Sequence, residues 1–356
     1  MGHRARILAA VVVALATILP ALAAAEEGQG AGSKPLEERN LWRLVFDNDG
    51  FVRKDNAFTS GWSVQRHSHQ HDSWQEMAPS KFSGWISRTI PGLDGGEGRV
   101  VKRGTGLSQI ITTPEDISNP EPQPEDFPWA GALGWAESWY AFDNRSLNAF
   151  QIYAGILGPY SFAEEFQTRI HDWINAEKPM GWDNQLHTEP LLNFNYTYKR
   201  KLLSHGRYKN GFATDLGAGG DAALGNFMTF ARASLEWRIG WRLPEGFIHT
   251  ADPPGYGIIV NPNTGVPEKF CVYFSVAARV AATAYTVFWD GNTFGESPHP
   301  GLDYDTVSRG AVFGLHVASR RFSFHFNFYS YDELPFESVN PVTDLMWGNV
   351  TLEYRF

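Results

Sequence analysis

The sequence predicts an all-β fold, a transmembrane antiparallel β-barrel of about twelve strands with a short α-helix in an outer loop. The main observation is a period-2 alternation of apolar and polar residues, which marks strands with two chemically different faces. It is clearest over 192–199, 270–283 and 322–329. A soluble sandwich or lipocalin-like barrel would turn the apolar face inward. A membrane barrel turns it toward lipid, around a polar lumen.

Strand length and the last strand favour the membrane barrel. Several alternating runs reach about 10 residues, the span of a tilted membrane strand. Residues 349–356 alternate up to Phe356, similar to the final strand that directs insertion of Gram-negative outer-membrane barrels. The mean hydropathy of −0.31 would by itself suit a soluble secreted protein. We therefore expect a multi-pass β-barrel in the Gram-negative outer membrane, surrounded by outer-membrane lipid.

The N-terminus predicts export. Arg4 and Arg6 precede an apolar run over 7–25 that ends in small residues before Glu26. This pattern is typical of a signal peptide over 1–25, with a transmembrane anchor as the alternative. The single cysteine, Cys271, excludes an intramolecular disulfide framework. The net charge of −9 argues against a nucleic-acid partner. Residues 26–356 then form one barrel, which we expect to be monomeric.

The even strand number suits a closed bacterial barrel. The candidate strands begin near residues 41, 57, 103, 129, 146, 186, 207, 227, 270, 306, 321 and 347. Short junctions near 143–146, 205–207 and 319–321 predict periplasmic turns. The outer connections are then 48–57, 114–128, 159–185, 219–226, 287–305 and 332–346, and two long inner connections cover 68–102 and 240–269.

The outer segment 159–185 departs from the strand pattern. Apolar residues at helical spacing begin at Phe162 and continue through Phe166 and Ile170 to Trp173 or Ile174. Glu164 and Glu165 in the first turn favour the helix dipole. Glu164, Gln167 and His171 have the spacing of one helix face. A barrel needs no helix here, so this helix is predicted to cover a site.

The first hairpin, 44–62, concentrates oxygen-bearing side chains at the outer end of the barrel. Asn48-Asp49-Gly50 suits a tight turn, but the same residues could bind a metal or line a catalytic site. Strand alternation predicts that Asp49 and Thr59 point into the barrel mouth together, with the outer-loop helix bringing His171 onto that site.

Several motifs together resemble the outer-membrane lipid A 3'-O-deacylase family, and the resemblance covers most of the mature chain. Asn48-Asp49 followed by Phe58-Thr59-Ser60-Gly61 is similar to the family's first hairpin. Gly158-Pro159, Gln167, His171 and Glu177 have the family's spacing. The stretches 181–186 and 290–294 are also similar to family motifs.

The resemblance implies a twelve-stranded enzyme that removes an acyloxyacyl chain from lipid A of lipopolysaccharide with Ca²⁺. It implies that His171 is the base that activates water, with Gln167 and Glu177 in the catalytic group. It also implies that Asn48, Asp49, Thr59 and Glu177 form the polar cluster associated with calcium. One departure concerns the second outer loop, where 116–120 is Asp-Ile-Ser-Asn-Pro instead of a stretch with a Lys-Arg pair.

The residue chemistry agrees with ester hydrolysis at the extracellular mouth of the barrel. The nearest approach to a Gly-x-Ser-x-Gly elbow is 295–299, which lacks the final Gly. A histidine without a serine partner suggests base-activated water, and a hard cation with oxygen ligands can stabilise an oxyanion. Two alternatives stay open at this point: a calcium-dependent outer-membrane phospholipase, and a porin or structural barrel.

Overall fold

A computed structural model describes residues 39–48, 58–77, 79–208, 210–248, 269–331 and 346–356; of Phe58, Thr59 and Tyr331 only the backbone is described. The predicted signal peptide, 1–25, and Asp49 lie outside these residues. No helix among the described residues is long and apolar enough to cross a membrane.

Twelve antiparallel strands form a closed barrel, which confirms the predicted fold class. The strands are β1 Leu41–Asn48, β2 Phe58–His67, β3 Val100–Thr112, β4 Ala130–Phe142, β5 Ser146–Leu157, β6 Glu189–Gly206, β7 Phe212–Gly225, β8 Met228–Trp241, β9 Cys271–Thr286, β10 Val307–Ala318, β11 Phe322–Tyr331 and β12 Met346–Arg355. Each strand pairs with its neighbour in the sequence, and β1 pairs with β12 from Leu41↔Arg355 to Asn48↔Gly348. This last pairing closes the sheet, so no open strand edge faces lipid.

The described parts of the connections contain four short α-helices. They are α1 Trp74–Met77, α2 Lys81–Thr89, α3 Ala163–Ile174 and α4 Val287–Asp290. The β4–β5 and β10–β11 turns are short, and the same end of the barrel also carries the long connections 68–99 and 242–270. The opposite end carries the connections 113–129, 158–188 and 287–306. Because outer-membrane barrels have short periplasmic turns and long extracellular loops, α3 and α4 are extracellular and α1 and α2 periplasmic.

The two faces of the sheet differ as predicted. On β1, Trp42, Leu44 and Phe46 are exposed and face lipid, while Arg43 and Asp47 point into the lumen and are buried. Many of the described lumen-facing side chains are buried. Toward the outer end the lumen contains an apolar cluster that includes Ile110, Tyr153, Phe227, Phe288, Tyr329 and Trp347.

One predicted outer connection, 219–226, is wrong. Residues 219–225 belong to β7 and pair with β6 and β8, so only Asn226 and Phe227 form the turn. The run of Gly and Ala resembles a loop in sequence, but the barrel interior requires small residues there. A Cβ on Gly219 would lie 2.8 Å from Ser234 Oγ and 3.3 Å from Lys199 Cγ.

Candidate active site on the outer wall

The predicted outer-loop helix exists as α3, and it packs against the lipid-facing side of the barrel wall. Asn48, Ser60, Ile111 and Gly131 are side-by-side partners across β1 to β4, so they share one face of the sheet. Alternation from Phe46 makes this the lipid-facing side. Ile111 is nevertheless buried, because Ala163 of α3 packs over it. The helix therefore lies beside the wall at the outer rim, and not above the lumen as the sequence suggested.

A glycine and a glutamine on the wall allow α3 to approach closely. A Cβ on Gly131 would collide with Ala163 Cβ and Ser161 Oγ. The amide of Gly158 donates to Gly131 O at 2.8 Å, and Gln109 Nε2 donates to Ser161 O at 2.6 Å. Gln109 also accepts from Trp62 Nε1 at 2.9 Å. These contacts fix the start of the helix on β2 to β4.

The inner stripe of α3 consists of Ala163, Gln167 and His171, spaced four residues apart. The first two are buried and His171 is half-buried. Phe166 packs near Trp62, with ring centroids 6.0 Å apart. Most of the apolar row that the sequence shows at helical spacing is exposed, with Trp173 83% exposed and Phe162 and Ile170 also accessible. Glu164 is exposed as well, so it does not share the inner stripe. The helix therefore packs Ala163 against the wall and exposes Phe162, Ile170 and Trp173 on its outer face.

His171 and Glu177 are in direct contact. His171 Nδ1 lies 2.5 Å from the backbone carbonyl oxygen of Glu177. A carbonyl can only accept, so Nδ1 carries the proton and the neutral ring has its lone pair on Nε2. The chain leaves α3 through Asn175, whose left-handed φ of 54° turns Glu177 back toward the histidine. The contact uses the backbone of Glu177, whose carboxylate has no hydrogen-bond or ion-pair partner in the part of the chain that the structure describes.

Gln167 is held by a tryptophan from the end of the same loop. Trp182 Nε1 donates to Gln167 Oε1 at 2.9 Å, and both side chains are buried. Trp182 packs edge-on against Trp129, with centroids 5.1 Å apart. Gln167 Nε2 is buried without a hydrogen-bond partner among the described residues. The glutamine therefore positions α3 and keeps one donor available.

The first hairpin supplies Asn48 at the end of β1, on the same face as the strand residues under α3. A register shift between Phe58 and Ser60 makes Thr59 the extra residue of a β-bulge. Bulges re-aim side chains, so simple alternation no longer predicts the direction of Thr59. Ser60 pairs with Asn48 and adds a hydroxyl that the sequence reasoning did not single out.

The predicted calcium ligands have suitable chemistry. Carboxylates, an amide oxygen and a hydroxyl are the donors that Ca²⁺ prefers. Of these residues, the structure describes the side chains of Asn48 and Glu177. Within the described ranges, no three His, Cys, Asp or Glu side chains cluster as metal ligands. Any such site must therefore draw on Asp49, Thr59 or neutral oxygens in addition.

The outer end of the barrel near α3 is acidic. Partial burial, with the nearby carboxylates of Glu165 and Asp183, raises the pKa of Glu164. The second outer loop adds exposed carboxylates of Asp116 and Glu121. These carboxylates attract cations. The second outer loop, 113–129, contains no Lys or Arg that could bind a phosphate.

A second predicted motif, 290–294, holds the end of the α3 loop. Asn292 exchanges two hydrogen bonds with the backbone of His187, at 2.9 and 2.8 Å. Thr293 N and Phe294 N both donate to the Glu189 carboxylate at 3.0 Å. Sequence reasoning missed Glu189 and Gln109. Gln109 could have been found from the sequence, because it is a polar residue in the lipid-facing row of β3. A polar side chain at such a position indicates that another part of the protein covers it.

A closed twelve-stranded barrel with a lipid-facing outer surface and a histidine-bearing helix on its outer wall defines an outer-membrane protein with a candidate active site. The family model of outer membrane protein LpxR matches residues 8–356, and the chain belongs to this family. No curated protein sequence matches the chain.

A solved structure with a TM-score above 0.5 agrees with the fold. LpxR from Salmonella typhimurium superposes with a TM-score of 0.69 at 13% identity, covering 89% of this chain and 100% of that one. The β domain of a Bordetella autotransporter, BrkA, matches at 8% identity and a TM-score of 0.42, covering 90% and 100%. The COG4313 outer membrane channel from Pseudomonas putida F1 matches at 7% identity and 0.39, covering 92% and 100%.

Proposed function

We propose that this protein hydrolyses an ester-linked acyl chain at the 3' position of lipid A, with water activated by His171 and with Ca²⁺ as cofactor. Family membership supports the coarser statement that it is a lipid A-modifying enzyme of the outer membrane. The observation that carries the finer proposal is the bond between His171 Nδ1–H and Glu177 O, which leaves Nε2 as a proton acceptor.

Each of the site residues has a separate role in the proposed reaction. His171 Nε2 takes a proton from water as the water attacks the ester carbonyl, and later returns it to the leaving alkoxide. Glu177 O holds the imidazole in the required tautomer. Gln167 fixes the helix through Trp182 and offers Nε2 as a donor. Asn48, Asp49, Thr59 and Glu177 would hold the calcium ion, which supplies positive charge for the developing oxyanion.

The position of α3 suits a lipid substrate. The helix lies on the outer wall at the extracellular end, and its outer face exposes Phe162, Ile170 and Trp173. An acyl chain in the outer leaflet can therefore reach the site from the membrane plane. A porin has less support, since the apolar cluster that includes Tyr153 and Trp347 lies in the outer part of the lumen. A serine-dependent phospholipase lacks support because the described contacts of His171 include no serine hydroxyl.

The test is lipid A mass spectrometry after incubation of the purified, refolded barrel with lipopolysaccharide. His171→Ala is expected to lower the deacylation rate about 10²- to 10⁴-fold, the usual contribution of a general base. His187→Ala is a matched control, because its Nδ1 also bonds a loop carbonyl, Glu296 O at 2.9 Å. Retained activity in His171→Ala contradicts the mechanism.

Calcium dependence is tested with the same assay. Chelation should abolish deacylation, and Ca²⁺ should restore it better than Mg²⁺, which demands a smaller octahedral site. Full activity in excess chelator would contradict the role of Ca²⁺. Unchanged lipid A in the presence of folded wild-type protein would contradict lipid A as the substrate.

A further inference from the structure

The periplasmic connection between β2 and β3 packs on the lipid-facing side of the barrel. Trp74, Ile86 and Leu93 of this connection cluster with Val101 and Trp139 of the wall. Trp139 alternates with the lumen-facing Ser138 and Tyr140, so it points outward, yet it is only 1% exposed. The connection therefore covers a part of the wall that would otherwise contact the inner leaflet.

Hydrogen bonds fix this connection on the wall. Trp74 Nε1 donates to Leu93 O at 2.5 Å, and Arg99 donates to Gly92 O and to Asn148 Oδ1, both at 2.8 Å. Tyr196 of β6 donates its hydroxyl to Pro91 O at 3.1 Å. The segment is hydrogen-bonded to β5 and β6 and packs on β3 and β4, so it is a fixed part of the fold.

The helix α2 has two distinct faces. Ser83, Gly84, Ile86 and Ser87 are buried, and Ile86 belongs to the apolar cluster on the wall. The opposite face carries Phe82 and Trp85, each 53% exposed, with ring centroids 6.1 Å apart. Phe82 also meets Trp139 edge-on at 6.1 Å. Two large aromatic rings thus project away from the barrel beside its lipid-facing surface.

These rings extend an aromatic belt. Exposed aromatic side chains also lie at the periplasmic ends of β1, β7, β8, β9 and β12: Trp42, Phe212, Trp241, Phe270, Tyr354 and Phe356. Aromatic belts of barrels lie at the level of the lipid headgroups. The rings of α2 continue this belt on the sector where the wall itself is covered.

The charges of α2 complement an anionic surface. Lys81 and Arg88 are exposed, and the helix contains no acidic residue. They are seven residues apart, two turns or about 10 Å along the helix, and so lie on one edge of the aromatic face. Among the described residues, neither has a carboxylate at ion-pair distance.

We propose that α2 is an interfacial membrane helix that binds anionic glycerophospholipid in the inner leaflet of the outer membrane. Phe82 and Trp85 enter the boundary between headgroups and acyl chains, and Lys81 and Arg88 bind the headgroup phosphates. Apolar burial and attraction to anionic lipids are the two terms that hold such helices at a membrane surface. The proposal is independent of the enzymatic reaction.

The depth of the helix can be measured by spin labelling of the full chain. A label at Trp85→Cys, in a Cys271→Ser background, is compared with one at Glu97→Cys, an exposed site of the same connection. In phosphatidylethanolamine–phosphatidylglycerol vesicles, oxygen should relax the label at 85 more strongly than a water-soluble nickel complex does, and the order should reverse at 97. Equal, aqueous behaviour at both sites overturns the proposal. Protection at 85 that depends on protein density also overturns it and indicates a second copy of the chain.

The lipid class is tested by native mass spectrometry with phosphatidylglycerol titrated against phosphatidylcholine. Each removed cation, in Lys81→Gln and Arg88→Gln, should weaken phosphatidylglycerol binding about fivefold. Lys178→Gln, an exposed lysine of the α3 loop, is the matched control. Unchanged retention in the double variant, or equal retention of both lipids, overturns the anionic specificity.

Discussion

Gln167 occupies the centre of the candidate site although it is neither charged nor nucleophilic. It lies one helical turn before His171 and accepts a hydrogen bond from the buried indole of Trp182. Because this bond joins the helix to the later part of the same loop, it helps to fix the position of α3 on the wall. A positioning role of this kind is visible only when the loop is folded.

We expect Trp182→Phe to lower kcat for deacylation while the pH profile stays unchanged, since the bond between His171 and Glu177 is retained. Loss of the donor leaves a buried acceptor and should cost about 1–3 kcal/mol of stability.

The matched control is Trp129→Phe. Trp129 is equally buried and packs against Trp182, but its Nε1 has no hydrogen-bond partner among the described residues. A drop in kcat of the same size in both variants would assign the effect to packing and contradict the role of the hydrogen bond.

The sequence singles out site residues whose contacts lie close together along the chain. His171 and Glu177 are six residues apart, and their contact lies within one loop. Gln109 and Glu189 were missed because their roles depend on partners 52 and 104 residues away. Such contacts exist only after the barrel brings distant loops together, and no local pattern encodes them.

At the scale of elements, the close approach of α3 to β4 depends on Gly131. We expect Gly131→Ala to lift the start of the helix, because the added Cβ meets the side chains of Ala163 and Ser161. Overpacking of this kind typically costs about 1–3 kcal/mol. Deacylation should fall, and protease cleavage within 158–188 should become faster.

Gly96→Ala serves as the control for Gly131→Ala, since a Cβ at Gly96 would have no atom within 4 Å. It should insert and react like the wild type. A Gly131→Ala protein with normal activity and normal protease resistance would show that α3 does not need this contact.

The strands were predictable because alternation and length directly reflect a lipid-facing and a lumen-facing side. The predicted β1 and β5 starts, 41 and 146, are the observed ones, whereas β7 begins at 212 and not near 207. The helix α2 and the side of the wall on which α3 packs were not predictable. Both depend on covering outward-facing residues such as Trp139 and Ile111, which in sequence look like ordinary lipid-facing positions.

At the scale of the whole molecule, a buried charge network spans the closing seam between β1 and β12. Arg43 Nε donates to Glu353 Oε1 at 2.8 Å, and Arg355 donates to Glu353 Oε2 at 2.9 Å. All three side chains are almost fully buried. Since one carboxylate balances two guanidinium groups, the seam depends on Glu353.

Glu353→Gln should therefore lower the free energy of unfolding by about 3–5 kcal/mol, the usual result of breaking a buried charge pair on one side. The measurement is the temperature at which the folded barrel loses its fast electrophoretic mobility. Asp172→Asn is the control, because its pair with Lys178 is exposed in the α3 loop and should contribute about 1 kcal/mol or less. Equal shifts for the two variants would contradict the special role of the seam.

The position of α3 beside the wall, on the lipid side, also decides how a ligand arrives. A molecule that reaches His171 from the leaflet travels by lateral diffusion and never crosses bulk water. Its encounter rate then depends on its surface density and on the fluidity of the leaflet, and only indirectly on concentration in solution. Diluting a substrate lipid with inert lipid in the same bilayer should slow the enzyme, whereas diluting the vesicles should not.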